Sequence, residues 1–175
     1  MKKLLDRIFI DGLGGMAQGL FATLIIGTII QQIGLFMGGG TGDLIYELGK
    51  IAAGLTGAGI GVGVARKLEA GHLVIVSAAV VGMIGAFAGK ILSGQVLVDG
   101  NLVLAGPGEP LGAFAAAYLA IEIGILISGK TKLDIILTPL VCIGTGSAVG
   151  LFVGPPISEF MLWLGSLINW GTEQQ

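Results

Sequence analysis

The apolar residues of this chain come in long runs rather than in the short amphipathic pattern of a soluble fold. Residues 12–42 form a run of 31 positions without a charged side chain. A bilayer core about 30 Å thick is crossed by roughly 20 helical residues, so this run alone is long enough to span a membrane. The same pattern predicts five membrane-crossing helices, over residues 13–36, 45–65, 72–90, 111–128 and 135–155.

The basic residues give these helices a direction. Short loops rich in Lys and Arg stay on the cytoplasmic side of a membrane. Seven of the nine basic residues lie before the first span, between spans two and three, or between spans four and five: Lys2, Lys3, Arg7, Arg66, Lys67, Lys130 and Lys132. These three places share one side in a five-span topology, so we expect a multi-pass protein with a cytoplasmic N-terminus.

Two segments outside the spans carry their own structural signals. Apolar β-formers flank Asp99-Gly100, a dipeptide favoured in two-residue hairpin turns, which predicts a small extracytoplasmic β-hairpin. After Gly154-Pro155-Pro156 the chain is too short for an easy further span and carries two tryptophans. We expect this piece to form an interfacial amphipathic helix or a partial sixth span. The fold class is therefore an all-α polytopic membrane protein.

Composition changes the picture in one respect, the use of glycine. Charged residues make up only 11% of the chain, and 33 of its 175 residues are glycine. In membranes, small residues let helix backbones approach closely. Glycines at helical spacing in spans three and five predict helix-packing contacts at Gly85, Gly89, Gly146, Gly150 and Gly154.

The glycines of span two allow two interpretations. Gly57, Gly59, Gly61 and Gly63 alternate along this span. They indicate either a helix with a glycine face against a neighbour or a locally unwound segment lining a cavity, as in transport sites.

Candidate chemistry is confined to a few acidic residues. Glu122 lies inside span four, and an intramembrane carboxylate must face protein, water or a partner. Glu109 lies in a Gly-Pro-Gly-Glu-Pro turn at the mouth of the same span, where a carboxylate can accept hydrogen bonds from substrate hydroxyls. We therefore take Glu109 and Glu122 as candidate substrate-binding residues. The sequence offers no catalytic motif, no metal cluster and no cofactor motif, and a net charge of −2 gives no reason to expect a nucleic acid partner.

A weak internal repeat is visible at an offset of 65 residues. Lys67-Leu68-Glu69 aligns with Lys132-Leu133-Asp134, and Gly85 and Gly89 align with Gly150 and Gly154. The pattern predicts that residues 45–90 and 111–155 are parallel copies of one helical hairpin within a single transmembrane domain, 1–175.

The whole chain resembles a known group of membrane proteins. The resemblance lies in the opening LLDRIFIDGLGGMAQGLFATLIIGTIIQQIG, the run LTGAGIGVGVARKL, the stretch VSAAVVGMIGAFAGKIL, the VDG hairpin with GPGEPLGAF, and the ending VGPPISEFMLWLGSLINWGTEQQ. Together these resemble the bacterial IIC-like membrane proteins of the phosphotransferase system. More narrowly, they resemble the branch that includes the toxin regulator PfoR.

The resemblance carries several expectations. It implies the N-terminal half of a longer IIC-like domain in the bacterial inner membrane. It also implies a sugar permease, with a carbohydrate as substrate and cytoplasmic IIA and IIB partners that supply the phosphoryl group. In enzymatic terms the chain would be at most the membrane subunit of a protein-phosphohistidine–sugar phosphotransferase. A homo-oligomer is expected. Two alternatives stay open, a membrane sensor or regulator without transport, and a channel or transporter for another small solute.

Overall fold

Helices form almost all of the architecture in the computed structural model, which describes residues 2–172. A helical turn at Lys2–Asp6 precedes the main elements. These are α1 (Arg7–Met37), α2 (Gly39–Gly54), α3 (Thr56–Lys67), α4 (His72–Ala86), α5 (Ala88–Leu92), β1 (Leu97–Val98), β2 (Asn101–Leu102), α6 (Pro110–Ile127) and α7 (Asp134–Thr172).

Several helices have the length and composition of membrane spans. Among the described residues, α1, α6 and α7 are long and apolar enough to cross a bilayer, and α2 with α3 makes a fourth span if the bent pair is counted as one. Helix α4 has 15 residues, fewer than the roughly 20 that a straight crossing needs. The all-α polytopic membrane fold is confirmed, and the count of five crossings stays a prediction.

The second span is broken rather than continuous, which differs from the single helix expected over residues 45–65. Helices α2 and α3 meet at an angle of 49° at Leu55. The hydroxyl of Thr56 donates a hydrogen bond to the carbonyl of Ala53 at 2.6 Å. At the bend, a side chain thus supplies a hydrogen bond to a backbone carbonyl near the end of α2. Side-chain bonds of this kind compete with helical backbone bonds and bend helices.

The glycines of α3 belong to helix, and they serve two neighbours. A Cβ added at Gly57 would lie 2.6 Å from the carbonyl oxygen of Gly82 in α4. One added at Gly59 would lie 2.9 Å from the carbonyl oxygen of Gly19 in α1. Alternate glycines thus face opposite sides of α3, because residues two apart on a helix point in nearly opposite directions. At these four glycines the close-packing interpretation holds, and the break in the span lies before them, at Leu55.

The C-terminal segment also differs from expectation. Helix α7 runs unbroken for 39 residues and contains Pro139, Pro155 and Pro156, so Gly154-Pro155-Pro156 does not separate a fifth span from an interfacial helix. A Cβ added at Gly154 would lie 2.6 Å from the Cβ of Ala88, so α7 packs closely on α5 beside the prolines. Neighbouring helices let membrane helices tolerate proline. At 1.5 Å per residue α7 is about 58 Å long, well beyond a bilayer core.

The core lies where α3, α4, α6 and α7 meet. Its largest fully buried side chains include Ile60 of α3, Val74 of α4, Ile121 of α6 and Cys142 of α7. The first part of α1 packs on α3, and the second part of α1 packs chiefly on α2. Helices α1 and α2 therefore form a hairpin whose outer faces are exposed and apolar, as expected for a surface that meets lipid.

A short β-ladder closes the connection between α5 and α6. Strands β1 and β2 pair antiparallel, with Leu97 opposite Leu102 and Val98 opposite Asn101. The two turn residues both have positive φ, 50° at Asp99 and 77° at Gly100, the conformation that a type I′ hairpin turn requires. The side of the membrane on which it lies stays a prediction.

The two ends of the bundle differ in charge. The start of α1 contacts α6 near its C-terminus through Arg7 and Glu122. A Cβ added at Gly71 would lie 3.6 Å from the hydroxyl of Ser128. The turns after α3 and α6 therefore share one end with the start of α1. We call this the basic end, because it holds Arg7, Arg66, Lys67, Lys130 and Lys132.

Candidate solute-binding cleft

A polar cleft lies at the end of the bundle opposite the basic end. It has a volume of about 690 Å³, within the usual range for small-molecule sites. Its walls come from α4, α5, the loop before α6, and α7. The polar side chains among its lining residues are Lys90, Ser93, Gln95, Glu109 and Glu159.

The break between α4 and α5 builds one wall of the cleft. Helix α4 ends at Ala86, and Phe87 has φ −113° and ψ 9°. The carbonyl of Ala86 accepts a hydrogen bond from the backbone N–H of Glu109 at 2.7 Å. Because the helix break presents this carbonyl to the loop before α6, one backbone bond fixes Glu109 against the end of α4.

The Gly-Pro-Gly-Glu-Pro loop has the conformation that its sequence demands. Gly106 and Gly108 have φ of 83° and 73°, values that only glycine adopts readily. A Cβ added at Gly108 would also lie 2.7 Å from the carbonyl oxygen of Ala86. Pro110 then occupies the first turn of α6, where its fixed φ suits a helix start. Glu109 is thereby held as the last residue before α6.

Glu109 carries a polar atom without a partner. Its Oε1 is buried and makes no hydrogen bond within the described residues. Burial raises the pKa of Glu109 above its ordinary value, and the nearby backbone N–H of Leu111 opposes this shift. The side chain nevertheless makes no capping hydrogen bond to α6. A buried polar atom left unpaired costs free energy, so the carboxyl gains most from a ligand that supplies a hydrogen-bond donor.

The other polar side chains leave groups available for a ligand. The Lys90 ammonium donates to the carbonyl of Ala105 at 3.3 Å and lies 5.5 Å from the centre of the Phe87 ring. The hydroxyl of Ser93 donates to the carbonyl of Lys90. Glu159 of α7 is exposed and lines the facing wall. A cleft of this composition offers hydrogen-bond acceptors, an ammonium and an amide, and these suit a solute rich in hydroxyl groups.

The structure does not bring the two candidate carboxylates together. Glu109 and Glu122 are 13 residues apart, which is about 20 Å along α6. Glu122 lies towards the basic end and accepts hydrogen bonds from Arg7, at 2.6 Å from Nε and 3.3 Å from Nη2. Glu109 is the member of this pair that lines the cleft.

Four of the five glycines singled out in the sequence, all except Gly89, have close neighbours on another helix. A Cβ added at Gly85 would lie 2.5 Å from the carbonyl oxygen of Gly112. One added at Gly146 would lie 2.8 Å from the Cβ of Ala120, and one added at Gly150 would lie 3.2 Å from the Cβ of Ala116. Gly154 faces Ala88, and Gly89 lines the cleft. These contacts join α4, α6 and α7, the helices that carry the cleft.

A larger groove, of about 960 Å³, runs along α1 and has a different character. Its lining is apolar except for Thr28 and Gln32. The hydroxyl of Thr28 already donates to the carbonyl of Leu24 at 2.8 Å. An open apolar groove on a helix of a membrane protein is a surface for lipid, so we place the solute site in the polar cleft instead.

Part of the cleft escaped the sequence analysis. Glu109 follows from its turn. Lys90, the last residue of the predicted span 72–90, and Gln95, just beyond it, belong to no motif. Glu159 belonged to a segment that we expected to lie apart from the fifth span. Within residues 2–172 no group of three His, Cys, Asp or Glu side chains is placed to hold a metal ion.

Comparison with known proteins identifies the family. No curated protein and no solved structure matches this chain. A family model described as "Phosphotransferase system, EIIC" matches residues 10–175, which is nearly the whole chain. The protein therefore belongs to the EIIC family of the phosphotransferase system, whose members are membrane proteins that work with IIA and IIB components.

Proposed function

We propose that the chain is a membrane permease component that takes up a carbohydrate for phosphorylation by a IIB partner, and that the carbohydrate binds in the Glu109 cleft. The unpaired Oε1 of Glu109 carries this proposal. Hydrogen bonds to a charged group contribute about 1.5–3 kcal/mol each. A sugar hydroxyl that donates to Glu109 would satisfy this oxygen and be oriented by it.

The position of the cleft supports uptake rather than simple surface binding. It lies at the end of the bundle opposite the basic residues, which the positive-inside rule assigns to the cytoplasm. In the proposed orientation the cleft receives the sugar from outside, and the phosphoryl donor meets the basic end. The irregular Gly-Pro loop fits this role, because non-helical backbone at membrane depth occurs where it is buried or lines a water-filled cavity.

The test is uptake of labelled sugars by inverted and right-side-out membrane vesicles that contain the full-length protein. Sugar phosphate should accumulate in the inner compartment of right-side-out vesicles when IIA, IIB and a phosphoryl donor are enclosed. Omission of IIB alone should abolish the phosphorylated product. Accumulation of free sugar without IIB would favour a channel or another transporter. Absence of both binding and uptake for every sugar would favour a regulator.

A further inference from the structure

A further groove lies on the exposed side of the contact between α1 and α3. It has a volume of about 470 Å³, and none of its lining residues lines the polar cleft. It extends from Leu55, where the second span bends, to Arg66, one residue before the end of α3. Since these residues are 11 positions apart, the groove is about 16 Å long.

The floor of this groove is built from small residues of both helices. Its floor residues are Gly19, Ala22, Ala58, Gly59 and Gly63. The rim is apolar, with Leu55 49% and Val62 36% exposed. The hydroxyl of Thr23, which also lines the groove, donates to the carbonyl of Gly19 at 2.8 Å, so its hydrogen-bonding capacity is already used. The result is a narrow apolar channel whose shape suits one flexible hydrocarbon chain.

One end of the channel carries a positive charge. Among the described residues that line it, Arg66 alone is charged, and its side chain is exposed. Both ion pairs within residues 2–172 join other residues, so no carboxylate there lies at salt-bridge distance from the Arg66 guanidinium. Arginine binds phosphate through two parallel hydrogen bonds. Arg66 is therefore free to bind a phosphate group at the basic end.

A polar side chain lines the groove at an intermediate depth. Gly15 packs against Gly63, and Gly19 packs against Gly59, so Gln18 of α1 lies about level with Ile60 of α3. This level is six residues from Arg66, or about 9 Å along the helix. Gln18 is exposed and lines the groove. A polar side chain at membrane depth needs a partner, and the ester carbonyls of a phospholipid lie at this depth, between its phosphate and its acyl chains.

From this order of groups we propose that the groove binds an anionic phospholipid. The phosphate lies on Arg66, the Gln18 amide donates to an ester carbonyl, and one acyl chain lies along the small-residue floor towards Leu55. Basic pockets between membrane helices bind anionic headgroups in this way. The larger groove along α1 has no charged residue in its lining, so it offers no comparable headgroup site. Because the lipid contacts both α1 and α3, it should also stabilise their packing.

The headgroup contact is tested by native mass spectrometry of the purified full-length protein. The protein is titrated with phosphatidylglycerol and with phosphatidylcholine of the same acyl chains. The wild type should bind one phosphatidylglycerol about fivefold more tightly than phosphatidylcholine. Arg66→Gln should remove this preference. Lys130→Gln removes a charge from the same end, outside the groove, and should keep the preference.

The acyl-chain contact is tested with a pair of matched substitutions. Ala22→Leu fills the floor of the groove and should weaken the binding of both lipids. Ala148→Leu makes the same change at an exposed position of α7, outside the groove, and should bind like the wild type. Gln18→Met keeps the length of the side chain but removes the amide, so it should also weaken both lipids.

Three results would overturn the site. They are equal affinity of the wild type for the two lipids, a wild-type preference in Arg66→Gln, and displacement of bound phosphatidylglycerol by an equal concentration of inorganic phosphate. The last result would show a phosphate site that does not use the acyl chain. If Arg66→Gln does not fold, the preference of the wild type and the comparison of Ala22→Leu with Ala148→Leu decide. Equal lipid binding by these two alanine variants would then refute the site.

Discussion

Glu109 shows how a single residue acquires its properties from backbone geometry. Two glycines with positive φ and the carbonyl of Ala86 fix the loop, and the loop buries one oxygen of the carboxyl. The turn could be read from the sequence because Gly and Pro carry strong local signals. Its partner Ala86 could not, since the contact depends on where α4 breaks.

The raised pKa of Glu109 predicts a pH dependence of stability. A carboxyl whose pKa is higher in the folded state binds more protons there than in the unfolded chain. Its contribution is therefore fully present below the unfolded pKa, about 4.3, and is lost as the pH rises through the higher folded pKa. Glu109→Gln should flatten this decline in thermal unfolding measured in detergent. Glu47→Gln, at an exposed position on α2, serves as the control, and an unchanged pH profile in Glu109→Gln would contradict the assignment.

The Arg7–Glu122 pair marks the limit of reasoning about single residues. Glu122 was recognised as an intramembrane carboxylate that needs a partner. Its partner lies 115 residues away in sequence, and nothing in the local pattern of either residue points to the other. Long-range pairs of this kind become visible only when the helices have been placed.

At the scale of elements, glycine spacing was the most informative signal. In α3, Gly57 and Gly61 contact α4, whereas Gly59 and Gly63 contact α1. Glycines four residues apart therefore face the same neighbouring helix. The sequence also located most helices, but it missed the bend at Leu55 and the continuity of α7 through Gly154-Pro155-Pro156. Both errors concern positions where contacts with neighbouring helices, rather than local propensity, decide the backbone.

Glycine contacts predict a contrast between two similar substitutions. Gly85→Ala places a Cβ 2.5 Å from the carbonyl oxygen of Gly112, so α4 and α6 must move apart, at a cost of about 1–3 kcal/mol. Gly144→Ala has nothing within 4 Å of the new Cβ and gains helix propensity. The midpoint temperature of unfolding in detergent should fall for Gly85→Ala and stay level or rise for Gly144→Ala. Equal midpoints would show that the α4–α6 contact is not tight.

For the whole molecule, the charge distribution predicts the topology. Cysteine replacements of Asn101, Lys67 and Lys130, in a Cys142→Ala background, can be labelled in intact cells with a membrane-impermeant maleimide. Asn101→Cys should react, and Lys67→Cys and Lys130→Cys should react only after the membrane is permeabilised. Labelling of Lys67→Cys in intact cells would reverse or refute the orientation.

The internal repeat makes a further prediction at this scale. If residues 45–90 and 111–155 are parallel copies, an experimental structure of the full-length protein should superpose them with the turns near Lys67 and Lys132 on the same membrane face. The bend at Leu55 belongs to the first copy alone. The backbones of the two copies should therefore superpose best where α4 of the first copy is matched with the first half of α7 in the second. Failure of these segments to superpose would leave the 65-residue offset as a coincidence of glycine-rich sequence.

The most direct test of the proposed site is equilibrium binding of the transported sugar to the purified full-length protein. Glu109→Gln should weaken binding about tenfold or more, since each 1.4 kcal/mol corresponds to a factor of ten and a hydrogen bond to a charged group contributes at least that much. Glu47→Gln should bind like the wild type, and all three proteins should give the same elution profile in detergent. Wild-type affinity in Glu109→Gln would contradict the assignment of the cleft as the carbohydrate site.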